Sequence, residues 1–579
     1  MRHSRAFARV PLLPASALTA LAALSALSAQ VAPDAARRIV DQGIAHSEVM
    51  AFEDALCHDY GSRLTGSLAF ERAAEWARQQ FAAMGLDARL EPWGEWQCGW
   101  DREQWQGRVV SPAPFELQVA CPAWTGCTRG LARGTLVRMP ASEADVVALN
   151  ARAAKDGPFW LWGALPKEPE LYDAVNVLFD LGKALGIAQS AKSTGWNDKT
   201  WENQIRVFGD HKRAQRPFAE RPRWAHAVVR DDQSAAIERE LAGDLPVVVE
   251  FELRNRWRPG PVKLCNVVAE LKGSARPDEV VIVCAHLDSW HQATGATDNG
   301  TGVCSTLEAA RILTASGCRP TRTVRFILWS GEEQGLLGSH QYVVQHRAQM
   351  PLVSAVFNHD SGTNWAQGLT VAESEHADFA RIVQPVLDLM HVPQEGSDKP
   401  VFELGKVAVL KPAGGGSDHA SFGAVGVPAF GWRLQGEVPY GRGWHSQWDT
   451  YSIVVPRYQQ QTATVIALDA EGVAELDHLL SRQGVERANA GGAVNAQLIV
   501  ETWLGIELDG LACSSVAPGG IAAAAGLAQG DLFVMIGDET VHDAKEMLAA
   551  LRSASAAEGA VKVTIARAGE TLVKELARR

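Results

Sequence analysis

The sequence has few cysteines, and it has no block of basic residues. Nine cysteines in 579 residues are too sparse for a disulfide scaffold, and their odd number leaves at least one unpaired. Lysine and arginine number 55 against 67 acidic residues, which gives a formal net charge of -12. A chain this acidic is a poor candidate for sequence-independent nucleic-acid binding, so we expect no nucleic-acid partner. A composition of 46% apolar and 21% charged residues excludes wholesale disorder and a collagen-like fibre.

Long apolar runs are also scarce, and the clearest one lies at the N-terminus. Residues 1–29 carry three arginines followed by PLLPASALTALAALSALSA, an order that predicts a secretory signal peptide cleaved near Ser28 or Ala29. Two prolines shorten the usable helix below the roughly 20 residues that span a bilayer, so we expect no stable membrane anchor. The predicted location is periplasmic or secreted, where disulfides are permissible. Cys121 and Cys127 are the closest pair, although connectivity cannot be deduced from sequence.

The length predicts three or four units at roughly 150 residues each. Residues 262–480 alternate short β-branched runs with amphipathic helical patterns, which is typical of an α/β domain with a mostly parallel sheet flanked by helices. The stretch ANAGGAVNA (488–496) is typical of a linker. The predicted organisation is a signal peptide (1–29), the N-terminal part of the main domain (35–115), an insert (116–255), the core of the main domain (262–480) and a compact module (497–579).

Residues that bear chemistry follow four apolar runs of the core. The runs are VVIVCAH (280–286), TVRFILW (323–329), LVSAVFN (352–358) and VPAFGWRL (427–434). Continuous apolar runs of this length predict strands covered on both faces. The polar residues at or after their ends are His286 and Asp288, then Glu332 and Glu333, then Asp360, and finally His445, with Asp298 between the first strand and its helix.

We expect these loops to converge, because open α/β sheets bind ligands outside the carboxyl ends of their strands. Two histidines and three carboxylates with no thiolate form a donor set that suits a catalytic zinc pair better than a structural zinc. Each motif alone has an ordinary explanation. The Glu332–Glu333 pair is typical of a solvated face, Asp360 could cap a turn, and His445 could stack in an aromatic loop with Trp444 and Trp448. The occurrence of all the motifs together at four strand ends favours the functional interpretation.

Six strings carry a resemblance to a known family: HLDSW, TDNGTG, WSGEEQGLLGS, NHDSGTN, GGGSDHASF and HSQWDT. Together they resemble the di-zinc exopeptidases, a family that includes bacterial leucyl aminopeptidases and carboxypeptidase Q. The HLDSW and SDHASF strings and the early YGSRLTGS (60–67) are most similar to the carboxypeptidase Q branch. The resemblance covers residues 45–115 and 262–480, and it implies the peptidase fold, two Zn²⁺ ions and a peptide substrate.

The resemblance also implies a role for each candidate residue. His286 and Asp360 would bind one zinc, Glu333 and His445 would bind the other, and Asp298 would bridge the two. The implied catalytic residues are Glu332, as general base, and Asp288, which would orient the imidazole of His286. These roles suit the chemistry, because a carboxylate beside two metals can take a proton from water and pass it to the leaving amine.

The remaining segments resemble two accessory domains. The close of the insert resembles a protease-associated domain, so we expect a β-rich insert that covers the site and limits it to small substrates. In the last module, WLGIEL (503–508) and GGIAAAAGLAQGDLFVMIGDETV (519–541) resemble a PDZ domain. Such a domain binds an extended chain end along a sheet edge, so a C-terminal peptide or a protein is a possible partner. The alternative is a packing or dimerisation module with an unused groove.

The sequence therefore predicts an exported di-zinc exopeptidase of dipeptides or short peptides, with the aminopeptidase or dipeptidase mode favoured. A carboxypeptidase mode stays open, because Arg433 and Arg442 near the His445 loop could hold a terminal carboxylate. Two alternatives of other classes are a single-zinc glutaminyl cyclase and a metal-free binding protein. The complete set of five ligands and Glu332 argues against both, and a metal content of about two, one or no zinc ions per chain separates the three.

Overall fold

We analysed a computed structural model, which describes residues 33–194, 201–413, 415–485, 500–501, 503–516, 520–556 and 559–577. The predicted signal peptide (1–29) and the predicted linker (488–496) lie outside the described residues. In the part of the chain that the structure describes, no helix combines the length and apolar character needed to cross a membrane. All nine cysteines are free thiols, including Cys121 and Cys127.

Helices occur throughout the described chain. They are α1 (Pro33–Ile44), α2 (Val49–Ala55), α3 (Leu68–Ala83), α4 (Glu143–Asp156), α5 (Pro169–Asp180), α6 (Lys212–Gln215), α7 (Asp231–Leu241), α8 (Thr301–Ala315), α9 (Leu337–Gln345), α10 (His376–Leu389), α11 (His419–Gly423), α12 (Tyr440–Gly443), α13 (Pro456–Glu475), α14 (Ile521–Ala524) and α15 (Ala544–Ala556). Local capping explains several of their starts: the Ser67 side chain accepts from Phe70 N–H at α3, and Ser142 accepts from Asp145 N–H at α4.

Strands form three sheets. They are β1 (Asp87–Ser111), β2 (Phe115–Leu117), β3 (Val119–Ala120), β4 (Ala132–Arg138), β5 (Phe159–Trp162), β6 (Ala184–Ser190), β7 (Ala225–Val229), β8 (Val248–Leu271), β9 (Arg276–His286), β10 (Arg322–Trp329), β11 (Val353–Asn358), β12 (Trp365–Ala372), β13 (Glu403–Val407), β14 (Ala429–Gly431), β15 (Arg433–Gln435), β16 (Ile506–Asp509), β17 (Ala512–Val516), β18 (Leu532–Ile536), β19 (Glu539–Thr540), β20 (Val561–Arg567) and β21 (Glu570–Leu576). The largest sheet has the order β14-β11-β9-β10-β8-β4-β5-β6-β7-β3, with β1 on β8 and β2 on β1.

The centre of this sheet is parallel, and its flank is not. Strands β14, β11, β9 and β10 run parallel, whereas β8 pairs antiparallel with β10, β1 and β4. The predicted α/β class is confirmed, with a sheet that is mixed. The predicted fourth strand differs, because the chain leaves the large sheet after β14 and β15 joins β12 in a separate small sheet.

The central strands are apolar on both faces, which explains their continuous apolar sequence. In β9, Val281 and Val283 belong to a core formed with helices α1, α2, α3, α8, α10 and α13. Their neighbours Val280 and Ile282 point to the other face, where they pack with Tyr342 of α9 and with α11. Burial on both sides fixes the position of β9, and with it the position of His286 at its carboxyl end.

The insert departs from the expectation of a β-rich domain. Its strands β4, β5, β6 and β7 are parallel neighbours within the large sheet; helices α4, α5 and α6 lie between them in sequence, and α7 follows β7. The long strands β1 and β8 pair along nearly their whole length and join the insert to the core. The helical stretches were not evident from apolar periodicity because their exposed faces carry many alanines and charged residues.

Candidate active site

The predicted site residues lie together at the carboxyl ends of the central strands. His286 is the last residue of β9, and Glu332 and Glu333 follow β10 by three and four residues. Asp360 comes two residues after β11, and Asp298 lies just before α8. His445 follows α12, and its ring stacks on Trp444 with centroids 3.9 Å apart. These loops therefore converge in the structure, as expected.

Asp298 lies between the two histidines of the site. One of its carboxylate oxygens is 3.3 Å from His286 Nε2, and the other is 3.0 Å from His445 Nε2. His286 Nε2 is also 3.3 Å from Asp360 Oδ1, and His445 Nε2 is 2.9 Å from Glu333 Oε2. A single carboxylate thus separates two groups, each made of one imidazole and one further carboxylate.

These distances fit metal coordination. Donor atoms bound to one tetrahedral zinc at 2.0–2.1 Å lie about 3.3 Å from each other, close to the distances observed here. The donors of His286, Asp298 and Glu333 lie within 4.8 Å of one another, as do those of His286, Glu332 and Asp360. His286 and Asp298 are almost completely buried. Buried carboxylates at this density repel each other strongly unless cations balance them.

Burial and neighbouring charges together raise the pKa values of the two histidines and the two glutamates. Burial would lower the pKa of His445, but the carboxylates of Glu333 and Asp298 outweigh it and raise the pKa to about 10. Asp360 and Glu332 likewise outweigh burial and hold the pKa of His286 well above its usual value. Burial raises the pKa of Glu333 to about 7 and that of Glu332 well above its usual range. These shifts favour the protonated forms of the side chains, so a metal that binds here must displace protons.

Asp288 holds the loop that carries the two glutamates. Its carboxylate accepts hydrogen bonds from Glu332 N–H at 3.3 Å, from Glu333 N–H at 3.2 Å and from the Thr65 hydroxyl at 2.9 Å. The Nδ1 atom of His286 lies 2.9 Å from the main-chain oxygen of Asp288 and 3.8 Å from its carboxylate. The atom of Asp288 nearest to the His286 ring is therefore its main-chain oxygen, which would fix the tautomer of a metal-binding imidazole.

Two positioning residues were not identified from sequence. Arg63 is fully buried, and its guanidinium donates to the carbonyls of Leu287, Gly61, Thr294 and Gly295, which fixes the loop after β9. The Asp449 carboxylate accepts from Thr297 N–H at 2.6 Å, the Thr297 hydroxyl at 2.7 Å and Asp298 N–H at 3.0 Å. Arg63 lies in the YGSRLTGS string and Asp449 in the HSQWDT string. The sequence alone could not show which loops their side chains would contact.

The glycine that follows Asp298 by four residues has a packing role. A Cβ atom on Gly302 would lie 2.3 Å from His359 O and 2.3 Å from Asn299 Oδ1. Only glycine lets the start of α8 approach the loop that carries Asp360 this closely. The TDNGTG string therefore brings two of the predicted ligand loops together.

The site opens into a cavity of about 1600 Å³. Three parts of the chain line it: the peptidase core, the insert and the last module. The core supplies Asp298, Glu332, Glu333, Asp360, His419, Tyr440 and His445; the insert and β1 supply Trp93, Glu95, Trp96, His211 and Lys212; the module supplies Glu501, Glu507, Asp509, Ser515 and Val516. This volume exceeds the 300–1,000 Å³ of ordinary small-molecule pockets.

A mixed α/β sheet with buried imidazoles and carboxylates at its strand ends, opening into a cleft, is typical of metallopeptidases. Residues 266–468 match the model of peptidase family M28, and residues 513–567 match that of the PDZ domain. The core of the chain is therefore similar to peptidase family M28, and the last module is similar to a PDZ domain. The recognition of this family and of the PDZ-like module from sequence is confirmed.

Individual relatives support the same assignment. The chain is 31% identical to carboxypeptidase Q of Mus musculus over 277 residues, which cover 48% of this chain and 55% of that protein. It is 27% identical to carboxypeptidase Q of Bos taurus over 434 residues, which cover 73% and 84% respectively. Among solved structures, a Peptidase M28 precursor from Shewanella amazonensis SB2B matches with a TM-score of 0.53 and 25% identity, covering 77% of this chain and 97% of that one.

Metal binding is predicted to release protons. Because carboxylates raise the pKa of His445 to about 10, its imidazole is protonated at neutral pH and must lose that proton to bind a cation. Zinc affinity should therefore fall as the pH is lowered. Calorimetric titration of metal-free protein in buffers of different ionisation enthalpy should show at least one proton released per chain. His445→Ala should release fewer protons, and a binding heat independent of the buffer would contradict this description.

Proposed function

We propose that this chain is a zinc exopeptidase that removes terminal residues from peptides, with Asp298 bridging two zinc ions. The observation that carries the proposal is the position of Asp298, whose two carboxylate oxygens face different histidines at 3.3 and 3.0 Å. In this proposal His286 and Asp360 complete one metal position, and Glu333 and His445 complete the other. Imidazole and carboxylate donors without thiolate, in a cleft, are typical of catalytic zinc.

The charges of the cluster support two divalent ions. Asp298, Glu332, Glu333 and Asp360 carry four negative charges when ionised, and a histidine must be neutral to ligate a metal. Two divalent cations would balance this charge, whereas one would leave a buried excess of two negative charges. Such an excess is costly in a buried site unless protons neutralise it.

When bound, the metal pair lowers the pKa of a water molecule and polarises the scissile carbonyl. The residue proposed to move the proton is Glu332, whose carboxylate lies 4.0 Å from His286 Nε2 and lines the cavity without being part of the proposed ligand set. Its Oε atoms accept the proton of the attacking water and deliver it to the leaving amine. Asp288 has a positioning role, because it holds the backbone N–H groups of Glu332 and Glu333.

Tyr440 is a further candidate for the chemistry. It lines the cavity beside the cluster, and burial together with the charges of Asp298 and Asp360 raises its pKa well above the usual value. The hydroxyl therefore keeps its proton and can donate a hydrogen bond to the carbonyl oxygen of the substrate as negative charge develops there.

The charge of the cavity supports recognition of a free amine. Arg433 is hydrogen-bonded to Gln367 and Glu403, and neither it nor Arg442 is among the residues that line the cavity. The one arginine or lysine among the described lining residues is Lys212, which is paired with Asp509 at 2.8 Å. An acidic cavity favours the ammonium end of a peptide over its carboxylate end.

Export is also part of the proposal. It rests on the leader-like order of charges, apolar residues and small residues in positions 1–29, which lie outside the described residues. A periplasmic or secreted location would bring the enzyme to extracellular peptides.

The first prediction of the mechanism uses two matched variants. Glu332→Gln should retain both metals and lose about 10²- to 10⁴-fold in kcat, because it removes proton transfer but no ligand. Asp298→Ala should lose metal as well as activity. Elemental analysis and initial rates on the same preparations separate the two effects. Near-normal turnover by Glu332→Gln, or two zinc ions retained by Asp298→Ala, would contradict the assigned roles.

The second prediction concerns the end of the substrate. Free and C-amidated dipeptides should be cleaved at similar kcat/KM, while N-acetylated dipeptides should be poor substrates because their amine carries no charge. The measurement is a comparison of the three forms of one dipeptide. If the N-acetylated form is cleaved as fast as the free form while the C-amidated form is not, the aminopeptidase mode is wrong and the carboxypeptidase mode replaces it.

A further inference from the structure

The PDZ domain lies against the peptidase domain beside the cavity. Lys212 Nζ contacts Asp509 Oδ1 at 2.8 Å, and Gln341 Nε2 donates to Glu507 Oε1 at 2.8 Å. The Arg347 guanidinium donates to the main-chain oxygen of Trp503. These contacts join α6 and α9, together with the turn after α9, to one end of the PDZ domain. The module is thus in direct contact with the enzyme, which differs from the independent tether that the linker alone would predict.

The WLGIEL segment (503–508) is in the position of the loop that holds a chain-end carboxylate in a PDZ domain, and its N–H groups already have partners within the domain. Gly505 N–H donates to the main-chain oxygen of Glu501 at 2.8 Å. Leu508 N–H, on the strand expected to pair with a ligand, donates to Glu501 Oε1 at 2.7 Å. The chain's own Glu501 thus takes hydrogen bonds that a bound peptide would need.

The hairpin of the same domain, β16 with β17, faces the catalytic cavity instead. Glu507, Leu508 and Asp509 of β16 line the cavity, as do Ser515 and Val516 of β17. We call these five residues the hairpin wall. The proposed zinc ligands line the same cavity. A peptide bound at the metal centre can therefore extend towards the hairpin wall without leaving the cavity.

The part of the cavity away from the metal centre is acidic. Glu95, Glu501, Glu507 and Asp509 line it, and among the described lining residues Lys212 alone is a lysine or arginine. Lys212 balances only one of the four carboxylates, through Asp509. Burial lowers the pKa of His211, and it lowers that of His340 to about 4, so these imidazoles add little positive charge at neutral pH. The end of the cavity away from the metal centre, where the rest of a bound peptide would lie, therefore carries an excess of negative charge.

We propose that the hairpin wall of the PDZ domain forms a distal subsite of the peptidase, which selects oligopeptides carrying a lysine or arginine several residues from the cleaved bond. This inference rests on the proposed function for the position of cleavage. A cation there gains Coulomb attraction in a partly enclosed cleft, where charges are screened less than on an open surface. The PDZ domain then acts on substrate choice and has no part in the bond-breaking step.

The test measures binding and does not depend on turnover. In full-length Glu332→Gln protein, calorimetry compares two hexapeptides that share their first five residues and end in Lys or Glu. The Lys peptide should bind roughly two- to tenfold tighter, the range expected for one or two partly exposed ion pairs. The corresponding dipeptides, which are too short to reach the wall, should show little preference. Raising the salt concentration should weaken the preference of the hexapeptides.

A matched pair of double variants identifies the residues responsible. E507Q/D509N removes two charges but keeps groups that can hydrogen-bond to Gln341 and Lys212, so docking of the domain is preserved. E539Q/E570Q makes the same charge change at two exposed positions of the PDZ domain that do not line the cavity. The first should abolish most of the preference for Lys, and the second should leave it intact.

Two results would overturn the inference: equal affinity for the two hexapeptides, or an unchanged preference in E507Q/D509N. Failure of the proposed function has a different signature, which is the absence of dipeptide hydrolysis by the zinc-loaded wild-type protein. Normal dipeptide hydrolysis by E507Q/D509N is expected, and its loss with the fold intact would place the wall in the chemistry and contradict a role confined to substrate choice.

Discussion

The structure depends on a concentration of buried charge. The carboxylates of Asp298, Glu332, Glu333 and Asp360 each lie within 4.0 Å of the imidazole of His286 or His445, where burial disfavours every unbalanced charge. Cations or protons must balance them, and the raised pKa values of His286 and His445 show the strength of this demand. A divalent metal satisfies the same carboxylates and leaves the imidazoles neutral. The features around the site hold these groups close in spite of their mutual repulsion.

The scaffold does this with rigid strands and buried hydrogen bonds. Strands β9, β10 and β11 are covered on both faces, so their ends cannot move apart. Arg63 binds four carbonyls of the chain around the loop after β9, and Asp449 binds the backbone on either side of the Thr297–Asp298 peptide. Asp288 ties the glutamate loop to the same region. Each of these polar groups is buried and has partners, a condition under which buried charge adds rigidity.

The sequence predicted the strands and site residues that a local pattern of apolar and polar residues reveals. Continuous apolar runs revealed β9, β10 and β11, and the polar residues after them revealed the candidate site, because parallel strand ends meet at one edge. Strand β1 was not evident. Its pairing with β8 shifts register at several points, including between Pro92 and Gly94, and a bulge breaks the alternation on which a strand prediction depends. The fourth predicted strand failed for a similar reason, since the chain changes sheets after Gly431.

Contacts between segments that are distant in the chain also could not be predicted from the sequence. Lys212 and Asp509 are 297 residues apart, and no periodicity indicates that a PDZ hairpin will complete a peptidase cavity. Two residues of the insert, His211 and Lys212, line the cavity. The cavity of about 1600 Å³ is larger than a dipeptide needs, and its far end belongs to another domain. The cavity is thus formed by three segments of the chain together.

The most direct test of the central claim is anomalous diffraction at the zinc edge from crystals of the zinc-loaded protein. The account predicts two zinc peaks in each chain, one among His286, Asp298 and Asp360 and the other among Asp298, Glu333 and His445. Asp298 should contact both. A single peak, or two peaks that Asp298 does not join, would contradict the claim that the buried charge of this site is balanced by a bridged pair of metals.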